Sequence, residues 1–134
     1  MRVVLFLSML LVCFACSDSK KHDELNGTWV PVHQEMGGMT LPAASFEKQT
    51  LTITDSNYTV VAESTDKGIV RVNDDKIDIY GKEGVNSGKH FTAIYKYENN
   101  MLTICYNLAG DSYPEAFETK SKPTLFLSAF KKQQ

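Results

Sequence analysis

The sequence is poor in the residues that carry most catalytic, metal-binding and nucleic-acid chemistry. Among 134 residues there are three cysteines, three histidines and one tryptophan, and the only arginines are Arg2 and Arg71. The formal net charge is −2, and neither sign is concentrated in one segment. A basic surface for nucleic acid is therefore not expected. No apolar run reaches the roughly 20 residues that a membrane-spanning helix needs.

The first sixteen residues, MRVVLFLSMLLVCFAC, have the layout of a secretory signal. Arg2 gives a positively charged start, Val3–Ala15 is a short apolar run, and the small residue Ala15 precedes Cys16. A run of this length is typical of the hydrophobic region of a signal peptide. The pattern predicts a signal peptide over residues 1–15 and an exported mature chain that begins at Cys16.

The end of this signal resembles the lipobox of bacterial lipoproteins, in which a cysteine follows three mostly aliphatic or small residues. Here the four residues are Cys13, Phe14, Ala15 and Cys16. The resemblance implies that Cys16 is lipidated and anchors the protein to a membrane of the bacterial envelope, on the periplasmic side or at the cell surface. The polar residues 16–24 would form a tether. Ordinary signal cleavage with a free Cys16 is the alternative.

The scarcity of cysteine and histidine also limits chemistry in the mature chain. Once Cys16 is lipidated, Cys105 is the one remaining thiol, and a lone cysteine cannot form an internal disulfide. Cys105 lies in an alternating apolar run, which favours a small buried side chain. His33 and His90 have no second ligand at metal-site spacing. We therefore expect no enzyme activity, no metal and no cofactor.

Strand-like segments dominate the chain from residue 25 to residue 132. Eight short runs rich in Val, Ile, Thr, Tyr and Phe occur at residues 28–33, 50–54, 58–62, 69–72, 76–80, 90–97, 102–107 and 124–130. Short polar links at residues 55–57, 73–75 and 98–100 are typical of antiparallel hairpins. The pattern predicts one all-β domain over residues 25–132, either a sandwich or a barrel.

Several motifs follow one another in the order of a known family: LNGTWVPV, GGMTLP, LTITDSNYTV, MLTICYN and KSKPTLFLSAFKK. This succession resembles the small lipocalin-like domain of unknown function found in secreted proteins of planctomycetes and related bacteria. The resemblance covers nearly the whole mature chain. It implies an eight-stranded antiparallel up-and-down β-barrel of the lipocalin or calycin type, and it implies no activity.

The Gly-x-Trp signature of lipocalins corresponds here to Gly27 and Trp29. We expect Trp29 to close one end of the barrel and Gly27 to allow close backbone approach. Stacking of Trp29 on a ligand is the alternative. Lipocalins place an arginine from the last strand over this tryptophan, whereas here Lys131 or Lys132 occupies roughly that place and could cover the indole with its stem.

Alternation assigns the faces of the strands. The predicted inward residues are Leu51, Ile53, Tyr58, Val60, Val70, Val72, Ile77, Ile79, Phe91, Ala93, Tyr95, Tyr97, Leu102, Ile104 and Tyr106. Arg71 then points outward. The last strand is apolar on both faces, which leaves its phase undetermined. Eight strands give an interior that side chains fill or that holds one small ligand.

The residues expected to bind a ligand are Tyr58, Phe91, Tyr95, Tyr97 and Tyr106. Aromatic rings that face a cavity would enclose an apolar body, and phenol hydroxyls would orient a polar group. The sequence thus predicts a binder of a small apolar or amphipathic molecule. In the alternative, the tyrosine rings only pack and their hydroxyls lie at the rim.

A second hypothesis is a solid-core scaffold of the cell envelope that acts through its loops. Two long connections, residues 35–48 and 108–123, would then form the working surface. They contain five large apolar residues that we expect to be exposed: Met36, Met39, Phe46, Tyr113 and Phe117.

Overall fold

The alternating segments form nine strands in the computed structural model, which describes residues 23–134. The predicted signal peptide (residues 1–15), the lipidation site Cys16 and most of the predicted tether lie outside the described residues. The strands are β1 (Gly27–Met36), β2 (Met39–Thr40), β3 (Thr50–Thr54), β4 (Asn57–Val61), β5 (Thr65–Asn73), β6 (Lys76–Glu83), β7 (His90–Glu98), β8 (Met101–Asn107) and β9 (Leu125–Lys132). A single 3₁₀ turn covers Ala43–Ser45.

Eight of these strands close into an antiparallel barrel. Apart from β2, each strand pairs with the next along the chain, and β1 also pairs with β9, so the sheet has no open seam. The two-residue β2 only extends β1, with Glu35 opposite Thr40. All eight predicted runs are strands, and the predicted eight-stranded antiparallel barrel is confirmed.

The connections divide the barrel into two ends. At one end, which we call the closed end, the three predicted polar links are tight turns, with positive φ at Asp55, Asp74, Asn99 and Asn100. Two consecutive residues with positive φ, as at Asn99 and Asn100, are typical of the type I′ turn that suits hairpin twist. At the opposite, open end lie the longer connections 37–49, 62–64, 84–89 and 108–124.

A bulge in β1 changes which residues face the interior. The register of β1 against β9 shifts between Pro31 and His33. Trp29 is therefore inward before the bulge, and Gln34 is buried after it. Strict alternation from Trp29 would have turned His33 inward, but an extra residue reverses the pattern. His33 instead contacts Glu35, with its Nε2 atom 3.2 Å from Glu35 Oε2.

The barrel interior contains the main hydrophobic core. Of the fifteen predicted inward residues, all except Tyr97 belong to this core or pack against it. Tyr97 lies at the closed end, and 38% of it is exposed. Leu25, Trp29 and Phe130 complete the core, which places Phe130 of β9 on the inner face. Arg71 is exposed, as its outward phase predicts.

A smaller core lies on the outside of the barrel. It consists of Ile94, Cys105, Leu125 and Leu127, covered by Tyr113 and Phe117 from the connection 108–124. This cover explains why β9 is apolar on both faces. Cys105 is fully buried, as expected for a small apolar side chain, and burial raises the pKa of its thiol.

Hydrogen bonds hold the connection 108–124 against the barrel. The Asn107 side chain donates to Asp111 Oδ1 at 2.8 Å and to the Ser112 carbonyl at 2.9 Å. Thr119 Oγ1 donates to Glu35 Oε1 at 2.8 Å and accepts from the Gly38 amide at 3.0 Å. The two long connections are therefore joined to each other as well as to the strands.

Three of the five loop residues expected to be exposed are not. Phe46 is 6% exposed, and Tyr113 and Phe117 pack on the outer core. They look exposed in the sequence because the loops carry no periodicity that would assign them an inner face. Met36 and Met39 do remain exposed at the open end.

Candidate functional site

The closed end is sealed by Trp29. This side chain is completely buried, and its indole Nε1 donates to the Leu25 carbonyl at 2.8 Å. The Tyr97 ring meets it edge-on, with 5.9 Å between ring centroids. Lys132 Nζ lies 5.4 Å from the indole centroid, so Lys132 is the cation over the tryptophan ring.

Gly27 makes room for this lysine. Its φ is +139°, and a Cβ atom at Gly27 would collide with Lys132 Cε. Any larger residue would be strained and would also push the lysine stem away from the indole. Trp29, Gly27 and Lys132 thus form one packed unit at the closed end of the barrel.

A cavity of about 190 Å³ opens at the other end of the barrel. This is below the roughly 300–1,000 Å³ of sites for drug-sized ligands. It is close to the ~150 Å³ of an engineered apolar cavity that binds benzene. A molecule of about one ring would therefore fit. Its lining includes Gln34, Gln49, Tyr58, Val60, Asp66, Asn86, Phe91, Tyr106 and Phe126.

The structure brings together three of the five residues predicted to bind a ligand. Tyr58, Phe91 and Tyr106 all line the cavity. Tyr95 and Tyr97 do not, because β7 runs from the open end to the closed end and carries them past the cavity floor. Tyr95 is buried in the main core, and Tyr97 packs on Trp29.

Tyr58 owes its position to a glycine on the neighbouring strand. Gly68 of β5 is its register partner, and a Cβ at Gly68 would lie 2.6 Å from Tyr58 Cε1 and 2.8 Å from its hydroxyl oxygen. The missing side chain lets the phenol lie flat against β5. Burial raises the pKa of Tyr58, and the nearby Asp66 carboxylate raises it further.

Tyr106 lies on β8, across the barrel from Tyr58 on β4. Its ring stacks on Phe126, with 5.7 Å between centroids. Burial raises the pKa of Tyr106, and the neighbouring Tyr58 adds to this effect. Both phenols therefore stay protonated at neutral pH. Within residues 23–134, neither hydroxyl has a hydrogen-bond partner and neither is sealed from solvent, and both tyrosines line the cavity.

A chain of amides forms another part of the wall. Gln34 is buried, and its Nε2 donates to Gln49 Oε1 at 3.1 Å and to Ser128 Oγ at 3.2 Å. Gln49 in turn donates to the Ser45 carbonyl at 3.2 Å. Because both strong contacts of Gln34 use its amide nitrogen, its carbonyl oxygen remains available as an acceptor.

Asp66 brings a negative charge to the cavity wall, and sequence reasoning did not single it out. Only 8% of the residue is exposed, and its Oδ1 accepts from the Asn86 amide at 3.2 Å. The signal was nevertheless present, because Asp66 shares the phase of Gly68 and Val70 on β5. An inward phase for an acidic residue deserves notice since buried charges are costly.

A second polar cluster lies outside the barrel and is separate from the cavity. Asp78 accepts from His90 Nε2 at 2.8 Å and from the Tyr113 hydroxyl at 2.6 Å. Partial burial works to raise the pKa of Asp78, but these two hydrogen bonds and the charges of His90 and Arg71 outweigh it and lower the pKa. The pKa of Tyr113 is raised to about 12, mainly by its hydrogen bond to Asp78 and secondly by burial.

Among residues 23–134, no group of three or more His, Cys, Asp or Glu side chains is arranged to hold a metal ion. The same part of the chain contains no helix that is long and apolar enough to cross a bilayer. Comparison of the chain with protein-family models, curated proteins and solved structures finds no match. The cavity at the open end is therefore the candidate site, and its geometry suits enclosure of a small molecule.

Proposed function

We propose that this protein is an exported, lipid-anchored barrel that binds one small amphipathic molecule in the cavity at its open end. The observation that carries the proposal is an interior left partly unfilled and lined by apolar side chains, with two phenol hydroxyls that have no hydrogen-bond partner in residues 23–134. Native cores normally pack densely. An apolar body would fill the remaining space, and its polar group would pair with the phenol hydroxyls.

Other features support the same function. Phe91, Phe126 and Tyr106 offer aromatic surface to an apolar ligand. The connections at the open end are long and include the exposed side chains of Met39 and Val85. Entry through this end would not disturb the tight turns or the Trp29 unit at the closed end.

The proposed anchor would hold the barrel in a defined orientation. Asn26 Oδ1 accepts from the Asp55 amide at 2.7 Å, so the described chain starts at the closed end. Cys16 precedes Asn26 by ten residues. A lipid at Cys16 would therefore tether the closed end and leave the open end free to meet a ligand. Membership in the lipocalin-like domain of unknown function is part of the same proposal, supported by the order of the motifs and by the barrel.

Ligand retention can be tested with a variant that fills the cavity. Val60 lines the cavity, and Val61 follows it on the outer face of β4 with 42% exposure. The protein is purified gently from its host and its mass is measured by native mass spectrometry. We expect a bound small molecule in the wild type and in Val61→Phe, and none in Val60→Phe. Bare wild-type protein, or equal retention by both variants, would contradict binding in this cavity.

The anchor is tested separately with labelled palmitate. We expect Cys16→Ala to abolish incorporation and to leave an unlipidated precursor, whereas Cys13→Ala keeps the label. Label that persists in Cys16→Ala would show that the lipid is attached elsewhere.

A further inference from the structure

The cavity wall carries a charge that has no counter-ion among residues 23–134. Asp66 lines the cavity and is more than nine-tenths buried. Within residues 23–134 it forms no salt bridge with a lysine, arginine or histidine. It accepts one hydrogen bond, from the backbone N–H of Asn86 at 3.2 Å. A buried carboxylate usually has a cationic partner or several donors because its desolvation is expensive.

One oxygen of this carboxylate has no hydrogen-bond partner within residues 23–134. Within the described residues, no side-chain oxygen or nitrogen that is sealed from solvent lacks a hydrogen-bond partner. The Asp66 oxygen that Asn86 does not contact is therefore accessible to solvent, and Asp66 is one of the residues that line the cavity. The effect of Asp66 on the pKa of Tyr58 places the same charge beside a phenol hydroxyl that is also open.

The other lining residues in the described part of the chain add no positive charge to the cavity. The cavity wall in residues 23–134 contains no lysine, arginine or histidine, and its other polar residues are the neutral side chains Gln34, Gln49, Thr50, Tyr58, Asn86 and Tyr106. Aromatic faces from Phe91, Tyr106 and Phe126 add a negative quadrupole, which favours cations. An anionic ligand would be repelled by Asp66, and no cationic side chain in the described lining would offset that repulsion.

We infer that the ligand is a small amine, protonated at neutral pH and carried on an apolar body of about one ring, with Asp66 as its counter-ion. This inference rests on the proposed binding function and narrows it to a chemical class. The ammonium group would be bound by the Asp66 carboxylate, with the Tyr58 hydroxyl as a second acceptor. The apolar body would occupy the space beside Phe91 and Phe126.

The test compares three probes of one size on the full-length protein by titration calorimetry: benzylamine, benzyl alcohol and benzoate. We expect benzylamine to bind at least tenfold more tightly than either of the others. In Asp66→Asn, which keeps the shape of the side chain, this preference should disappear while benzyl alcohol still binds. Asp78→Asn, which removes a carboxylate outside the barrel, should keep the preference.

The outcomes separate this inference from the proposed function. Equal or tighter binding of benzoate, or an unchanged amine preference in Asp66→Asn, would overturn the role of Asp66 while cavity binding stands. Failure of all three probes would count against both. If Asp66→Asn does not fold, the wild-type comparison decides, because an amine preference below tenfold contradicts the inference. Val60→Phe should abolish binding of every probe, and binding that survives in it would place the probes elsewhere.

Discussion

Replacement of Trp29 by phenylalanine should weaken the fold without affecting the cavity. Phe keeps a ring but removes three heavy atoms, which costs roughly 2 kcal/mol at about 0.8 kcal/mol for each carbon-sized group. It also removes the donor to the Leu25 carbonyl, a group in a residue that is 1% exposed. An unpaired buried acceptor costs about 1–3 kcal/mol. We therefore expect a total loss of about 3–5 kcal/mol in the free energy of unfolding.

Urea denaturation followed by circular dichroism measures this loss. With a slope of about 1.5–2 kcal/mol per molar urea for a domain of this size, the midpoint should fall by roughly 2 M. Tyr97→Phe is the control, because it keeps the ring against Trp29 and loses only a hydroxyl at the surface. Its midpoint should move by less than about 0.5 M, since most surface changes cost under 0.5 kcal/mol.

Binding distinguishes the two roles considered for Trp29. The tryptophan is not among the residues that line the cavity. The affinity of folded Trp29→Phe for benzylamine should therefore stay within twofold of the wild type. A midpoint shift as small as that of Tyr97→Phe would refute the packing argument. A tenfold loss of affinity in protein that is still folded would instead favour contact between Trp29 and the ligand.

Three further predictions concern side chains outside the cavity. Lys132→Ala should lower the free energy of unfolding, measured by urea denaturation, by about 1 kcal/mol because it uncovers the Trp29 indole. Lys132→Met keeps the apolar stem and should cost less than half of that. Equal losses would contradict the role of the stem. Tyr113→Phe removes one hydrogen bond to Asp78 and should lower the free energy of unfolding at pH 7 by about 1 kcal/mol. Amide exchange in the connection 108–124 should increase. Unchanged exchange would show that the bond does not hold the loop. Since the pKa of Asp78 is lowered in the fold, its contribution is present above the unfolded pKa of about 3.9 and is lost as pH falls below it. The stability gap between the wild type and Asp78→Asn should therefore shrink from pH 6 to pH 3, and a gap that widens would refute the sign.

The fold could be predicted because its information is local. Each strand alternates apolar and polar residues, and each hairpin at the closed end has Asp or Asn where positive φ is needed. Near-neighbour pairing then leaves few ways to arrange eight antiparallel strands. The phase of β9 could not be predicted, since its outer face is covered by Tyr113 and Phe117 from a loop without periodicity.

The candidate site was predicted only in part. Tyr58, Phe91 and Tyr106 follow from alternation alone, but depth along the barrel does not, and this separates them from Tyr95 and Tyr97. The inward position of Gln34 could not be predicted because the β1 bulge between Pro31 and His33 reverses the phase of the strand. Asp66 could have been found from its phase with Val70 on β5.

Electron density inside the barrel tests the central claim most directly. The full-length protein is purified from its host under mild conditions and crystallised without added ligand. We predict continuous density larger than a water molecule, in contact with the Tyr58 and Tyr106 hydroxyls and with a polar atom within hydrogen-bond distance of Asp66. A cavity that holds only water, or that Phe91 and Phe126 fill by collapsing inward, would contradict the binding function.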